Sequence, residues 1–72
     1  MQLIALRYFH ETARLGSIRK AADNLRVSPS AISRQIMHLE HDLKAPLFER
    51  SVQGVRLTAA GDLLARQTQR TF

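Results

Sequence analysis

Apolar positions fall first at helical spacing along this chain and later, briefly, at extended spacing. Leu3, Leu6, Phe9 and Ala13 recur at intervals of three and four, which predicts a helix over roughly 3–15. Arg7, His10, Glu11 and Arg14 fall on its polar side. Gly16 supplies the stop, because glycine tolerates the left-handed backbone that ends helices. Ser17 then offers a cap to a second helix, on which Ile18, Ala21, Ala22 and Leu25 share a face. Two adjacent alanines in its middle let another helix come close. Arg26-Val27 leaves room only for a sharp corner before Ser28, a good N-cap, and Pro29, which suits the first helical position because its missing N–H has no partner there. A third helix over about 29–43 follows, with Ile32, Ile36, Leu39 and Leu43 as its core stripe. Ser30, Ser33, Arg34, Met37, His38 and His41 lie elsewhere on its circumference.

Pro46 rules out simple continuation of that helix, and the period then changes. Leu47-Phe48 and Val55-Arg56-Leu57 read as short extended segments flanking the turn formers of 51–54, so a small hairpin is expected. Thr58 caps a fourth helix bearing Leu63, Leu64 and Phe72. The predicted order is three helices, a hairpin and a helix. This is a mainly α chain in which two helices joined by a tight turn form a helix-turn-helix and the hairpin is its wing. In such units the second helix of the pair lies in the DNA major groove, leading with its N-terminal residues.

Composition narrows the class of function. The 72 residues are 44% hydrophobic and 24% charged, an ordinary composition for one small globular domain. No apolar run approaches the roughly 20 residues needed to cross a bilayer, and no signal-peptide pattern opens the chain. With no cysteine there is neither a disulfide frame nor a thiolate zinc site, and a reducing, cytoplasmic setting is expected. The net charge of +5 and pI near 11.2 point to nucleic acid or another anionic surface. That charge is spread evenly (+1 over 1–16, +2 over 17–50 and +2 over 51–72), so the placement of individual cations must decide.

Several blocks together are more specific than a generic helix-turn-helix. LRYF (6–9), GSIRKAADNL (16–25), VSPSAISRQI (27–36), LE (39–40), LF-E-R (47–50) and VRLTAAG (55–61) run in order and without gaps. In these blocks the chain resembles the amino-terminal DNA-binding domain of LysR-type transcriptional regulators. The resemblance implies a winged helix-turn-helix over 1–57, with 58–72 beginning a linker helix used in dimerisation. It implies double-stranded DNA, a pseudo-palindromic operator, as partner, and a homodimer or higher oligomer held through Leu63 and Leu64. It also implies a carboxy-terminal effector-sensing domain beyond these residues, so a small-molecule effector would act only through that domain and the chain is read as a DNA-binding fragment.

Carried over residue by residue, the resemblance puts the start of the third helix on the operator. Ser28 and Ser30 can donate to phosphates, helped by the helix's positive end. Ser33 is short enough to let the backbone approach base edges, and Arg34 can grip a phosphate or read guanine through a bidentate pair. Arg19 and Lys20 would hold flanking phosphates, while Arg50 leads into the wing and Gln53 lies near its tip. Three positions depart from the family's habit. Pro29 stands where glutamine is frequent, so readout leans on Ser30, Ser33 and apolar contact with thymine methyls. Gln53 stands where wings often carry a basic residue. Lys44 stands where a helix-ending glycine is usual, which implies a left-handed lysine at a cost of order 1 kcal/mol.

Other chemistries find little support. His38 and His41 stand three apart with no third ligand, so no metal is expected. Glu40 and Asp42, two apart on a helix, do not converge like a catalytic pair. No nucleophile–base constellation and no phosphate-cradling glycine loop is present, which excludes neither charge nor binding but leaves no basis for enzymatic activity or a cofactor. A protein-docking winged helix is disfavoured because the outer face of the third helix has no large apolar group beyond Met37. A basic protein of the membrane surface or the nucleoid, without sequence preference, is the remaining alternative.

Overall fold

A computed structural model describes residues 2–72. Its elements are α1 (Leu3–Leu15), α2 (Ile18–Leu25), α3 (Pro29–Leu43), β1 (Phe48–Ser51), β2 (Gly54–Leu57) and α4 (Ala59–Thr71). The helix ends follow the capping residues. Ser17, Ser28 and Thr58 each accept a hydrogen bond on the side chain, from the backbone N–H of Lys20, Ala31 and Gly61 respectively. Gly16 closes α1 in the left-handed conformation. Arg26 and Lys44 close α2 and α3 the same way, at φ of 59° and 55°. The left-handed lysine was expected; the left-handed arginine was not, since nothing in the Arg26-Val27 pair marks it.

The core is built in two joined parts. Ala5, Phe9, Leu39 and Leu47 form one, and Ala21, Ala22, Ile32 and Ile36 the other. Phe48 packs against both, its ring 5.2 Å from that of Phe9. The alanine pair of α2 is almost wholly buried, so α1 and α3 can both approach that helix closely.

Two ends of the expected stripes are corrected. Leu3 is exposed, and so is Leu43 at the last position of α3; Ala5 is the residue buried at the start of α1, roughly half a turn round the helix from Leu3. Glu11, expected on the polar side, is buried. Its carboxylate accepts from the Arg14 guanidinium at 2.6 Å and from the Asn24 amide, which ties α1 to α2. The Arg14 contact holds the Glu11 carboxyl below its ordinary range, against the opposing pull of burial. The end of α4 packs back against α1. Thr68 is buried there and its hydroxyl donates to the Ala65 carbonyl. With that proton committed, the Thr68 oxygen accepts from His10 Nδ1–H at 3.2 Å, fastening α4 to α1.

Strands β1 and β2 pair antiparallel in the register Phe48↔Leu57, Glu49↔Arg56, Arg50↔Val55 and Ser51↔Gly54. The strands therefore begin one residue later than Leu47 and extend further toward the tip than expected, while Leu47 itself belongs to the buried core. Gly54 and Gly61 allow two close approaches. A Cβ on Gly54 would stand 2.5 Å from the Gly16 carbonyl oxygen, and one on Gly61 would stand 2.1 Å from that of Leu47.

Candidate nucleic-acid interface

Helix α3 carries two unlike faces. Ile32, Ile36 and Leu39 turn inward and are buried, while Arg34, Met37, His38 and His41 are exposed on the other side. The corner before it exposes Ser28, Pro29 and Ser30, and Ser33 is half-buried. Ser28 Oγ lies 3.1 Å from the Ala31 N–H that it caps and 3.2 Å from Ser30 Oγ. The two hydroxyls thus form one polar cluster at the positive end of the helix dipole, where an anion is favoured. Pro29 fills the first helical position and leaves no side-chain donor there.

Arg19 and Lys20 are exposed in the first turn of α2. Arg50 is exposed on β1, and Gln53 is exposed in the turn beside Val52. The ion pairs Arg14–Glu11 and Arg66–Asp62 use none of Arg19, Lys20, Arg34 and Arg50. These cations are therefore not committed to either acid, and a phosphate could recruit them without breaking those pairs. Of the two leucines expected to mediate self-association, Leu63 is exposed and Leu64 packs partly against the core. Leu63 borders an open groove of about 360 Å³ with Leu43, Ala45, Leu47 and Ala60. Among the described residues no group of three or more histidine and acidic side chains could hold a metal ion.

The family of bacterial regulatory helix-turn-helix proteins of the lysR type matches residues 3–62. The chain belongs to that family. A relative from Sinorhizobium fredii, the uncharacterized HTH-type transcriptional regulator y4mQ, is 50% identical over 70 residues, covering 97% of this chain and 24% of the relative. The HTH-type transcriptional regulator ClcR of Pseudomonas putida is 46% identical over the same length and coverage. The chain thus spans about a quarter of the length of these relatives. Among solved structures, the DNA-binding domain of CbnR in complex with DNA superimposes with a TM-score of 0.93 at 41% identity, over 99% of this chain and 82% of that one. The BenM DNA-binding domain on its catB site 1 DNA gives 0.93 at 35% identity, over 99% and 80%. The winged helix-turn-helix is therefore the LysR-type one, and the relatives are transcriptional regulators.

Glu40, weighed in the sequence only as half of a catalytic pair, has a structural part that was missed there. Half-buried on α3, it accepts on a single carboxylate oxygen from the backbone N–H of Leu47 at 2.7 Å and of Phe48 at 3.4 Å. Its position in the LE block was the only signal available, because its partners are backbone groups that any residue type would supply.

Proposed function

We propose that the chain binds double-stranded DNA sequence-specifically, as the operator-recognition domain of a bacterial LysR-type transcriptional regulator. Helix α3 lies in the major groove and the β1–β2 wing reaches toward the adjacent minor groove. The observation that carries this reading is the division of α3: its inner stripe is locked in the core while Ser28, Pro29, Ser30 and Arg34 stand exposed around its N-terminal half. A rigid helix presenting small hydroxyls and one guanidinium suits a groove lined by phosphates and base edges. The DNA complexes of CbnR and BenM, which share this fold, support the same docking.

In this reading Arg34 makes the strongest single contact, to a guanine edge or a phosphate. Ser28 and Ser30 donate to phosphate, and Ser33 and the Pro29 ring lie close to the bases. Arg19 and Lys20 hold the flanking backbone, and Arg50 and Gln53 carry the wing's share. Residues 1–57 are the reading unit, and 58–72 open a linker helix through which a homodimer forms with Leu63 and Leu64, so that two copies read a pseudo-palindrome. The protein works in the bacterial cytoplasm, without catalysis, and answers a small-molecule effector only through sequence beyond these residues.

In vitro selection of bound duplexes followed by sequencing tests the proposal, with a recovered dyad expected. Arg34→Ala should then weaken binding to the selected duplex by about 1–3 kcal/mol, the scale of a good base contact. Binding should also fall steeply with salt. A folded chain that retains no duplex at low salt would overturn the reading. Equal affinity for selected and random duplexes would favour a basic protein without sequence preference.

A further inference from the structure

The wing is fastened at its first root to α3 and, beside its tip, to the corner between α1 and α2. At the first root, the Glu40 carboxylate of α3 takes the N–H groups of Leu47 and Phe48, where the chain turns into β1. Beside the tip, where β2 begins, the Val55 N–H donates 3.2 Å to the Gly16 carbonyl in the α1–α2 corner, and Gly54 lies so close to that same oxygen that no Cβ fits. Only Val52 and Gln53 separate the paired strands, so the tip has little freedom of its own once both attachments are made. A hairpin of two four-residue strands is marginal alone, so its direction must come from such attachments.

We infer that Glu40 and Gly54 are positioning residues that set the reach of the wing relative to α3, and thereby the spacing at which the two contact DNA. Neither touches the duplex. Glu40 acts through the Leu47 and Phe48 amides, and Gly54 acts by letting Val55 meet Gly16. A wing fixed in this way meets the minor groove already in place, so little ordering is required on binding. The inference rests on the docking of α3 and wing proposed above.

The test compares two duplexes, the selected one and the same sequence shortened on the wing's side so that only the α3 contacts remain. Truncation should weaken the wild-type chain by about tenfold in Kd, the scale of one good contact. For Glu40→Ala the two affinities should converge, because a wing that wanders gains little from the extra DNA. Glu40→Gln keeps an oxygen acceptor for the two amides and should restore most of the difference. Gly54→Ala acts on the attachment beside the tip and should also lose it. Arg34→Ala should weaken binding to both duplexes and leave their ratio intact. A purely structural role for Glu40 would lower the active fraction equally on both, so an unchanged ratio in Glu40→Ala and Gly54→Ala overturns the inference while leaving the docking of α3 standing. A wild-type chain indifferent to truncation overturns it too, and removes the wing from the interface. Failure of the wild-type chain on both duplexes overturns the DNA-binding reading itself.

Discussion

Helices α3 and α4 are close in length, 15 and 13 residues, and both begin at a hydroxyl cap, yet they are attached to the domain in opposite ways. Helix α3 inserts Ile32, Ile36 and Leu39 into the core, all three large and essentially inaccessible. Helix α4 buries only a glycine and a threonine; its leucines are half-covered or, at Leu63, 65% exposed. The first is held by apolar volume, the second by a close backbone approach at Gly61 and a polar tie at Thr68. A helix that reads DNA must keep its orientation, and the deep stripe supplies that. Under the proposed function α4 joins two copies and needs apolar surface in reserve, which the exposed Leu63 would supply.

The largest expected effect tests the first half of this contrast. Ile32→Ala empties a fully buried site and should destabilise the domain by about 2–5 kcal/mol in urea unfolding, the range for such cavities. A loss under 1 kcal/mol would mean that the stripe is not what holds α3. Next comes the polar tie of α4. Thr68→Val keeps the volume but removes the oxygen that His10 Nδ1–H uses, at a cost of roughly 1 kcal/mol in the same measurement. No loss would show that α4 is held elsewhere.

Lys44→Gly probes how α3 ends. Relieving a left-handed lysine at φ 55° should raise stability by roughly 0.5–1 kcal/mol, read as a higher melting temperature. Arg26→Gly offers the same comparison at the end of α2. The smallest effect on folding is expected at Leu63. Leu63→Ser should alter stability by less than about 0.5 kcal/mol while reducing self-association in sedimentation. A large stability loss there would erase the distinction between the two helices.

Much of this architecture was legible from short-range chemistry. Ser17, Ser28, Pro29 and Thr58 marked the helix starts because a cap acts on N–H groups within three residues, and Gly16 marked an end for a similarly local reason. The inner stripe Ile32–Ile36–Leu39 followed from period alone. What depended on a distant partner was not legible. Periodicity placed Glu11 in solvent because it cannot know that Asn24 of the next helix faces it. It carried the core stripes out to Leu3 and Leu43 because it cannot know which residues at a helix end meet a neighbour. The contact of Thr68 with His10, 58 positions away, left no mark in the local pattern. The residues expected to meet DNA are exposed except for the half-buried Ser33, while the part played by Glu40 stayed hidden because it acts on backbone amides.

The close approach of Gly54 to the Gly16 carbonyl has a bearing on how such a domain can be altered. It divides the hairpin into positions that cannot vary and positions that can. Residue 54 admits no side chain without moving the corner between α1 and α2, whereas Val52 and Gln53 at the tip touch no such constraint and are exposed. A library randomised at those two positions would change the chemistry of the tip while the frame stays put. Affinities across it would then measure what the wing reads, separated from where the wing stands, and the same division gives natural variants a route to new operators that spares the fold.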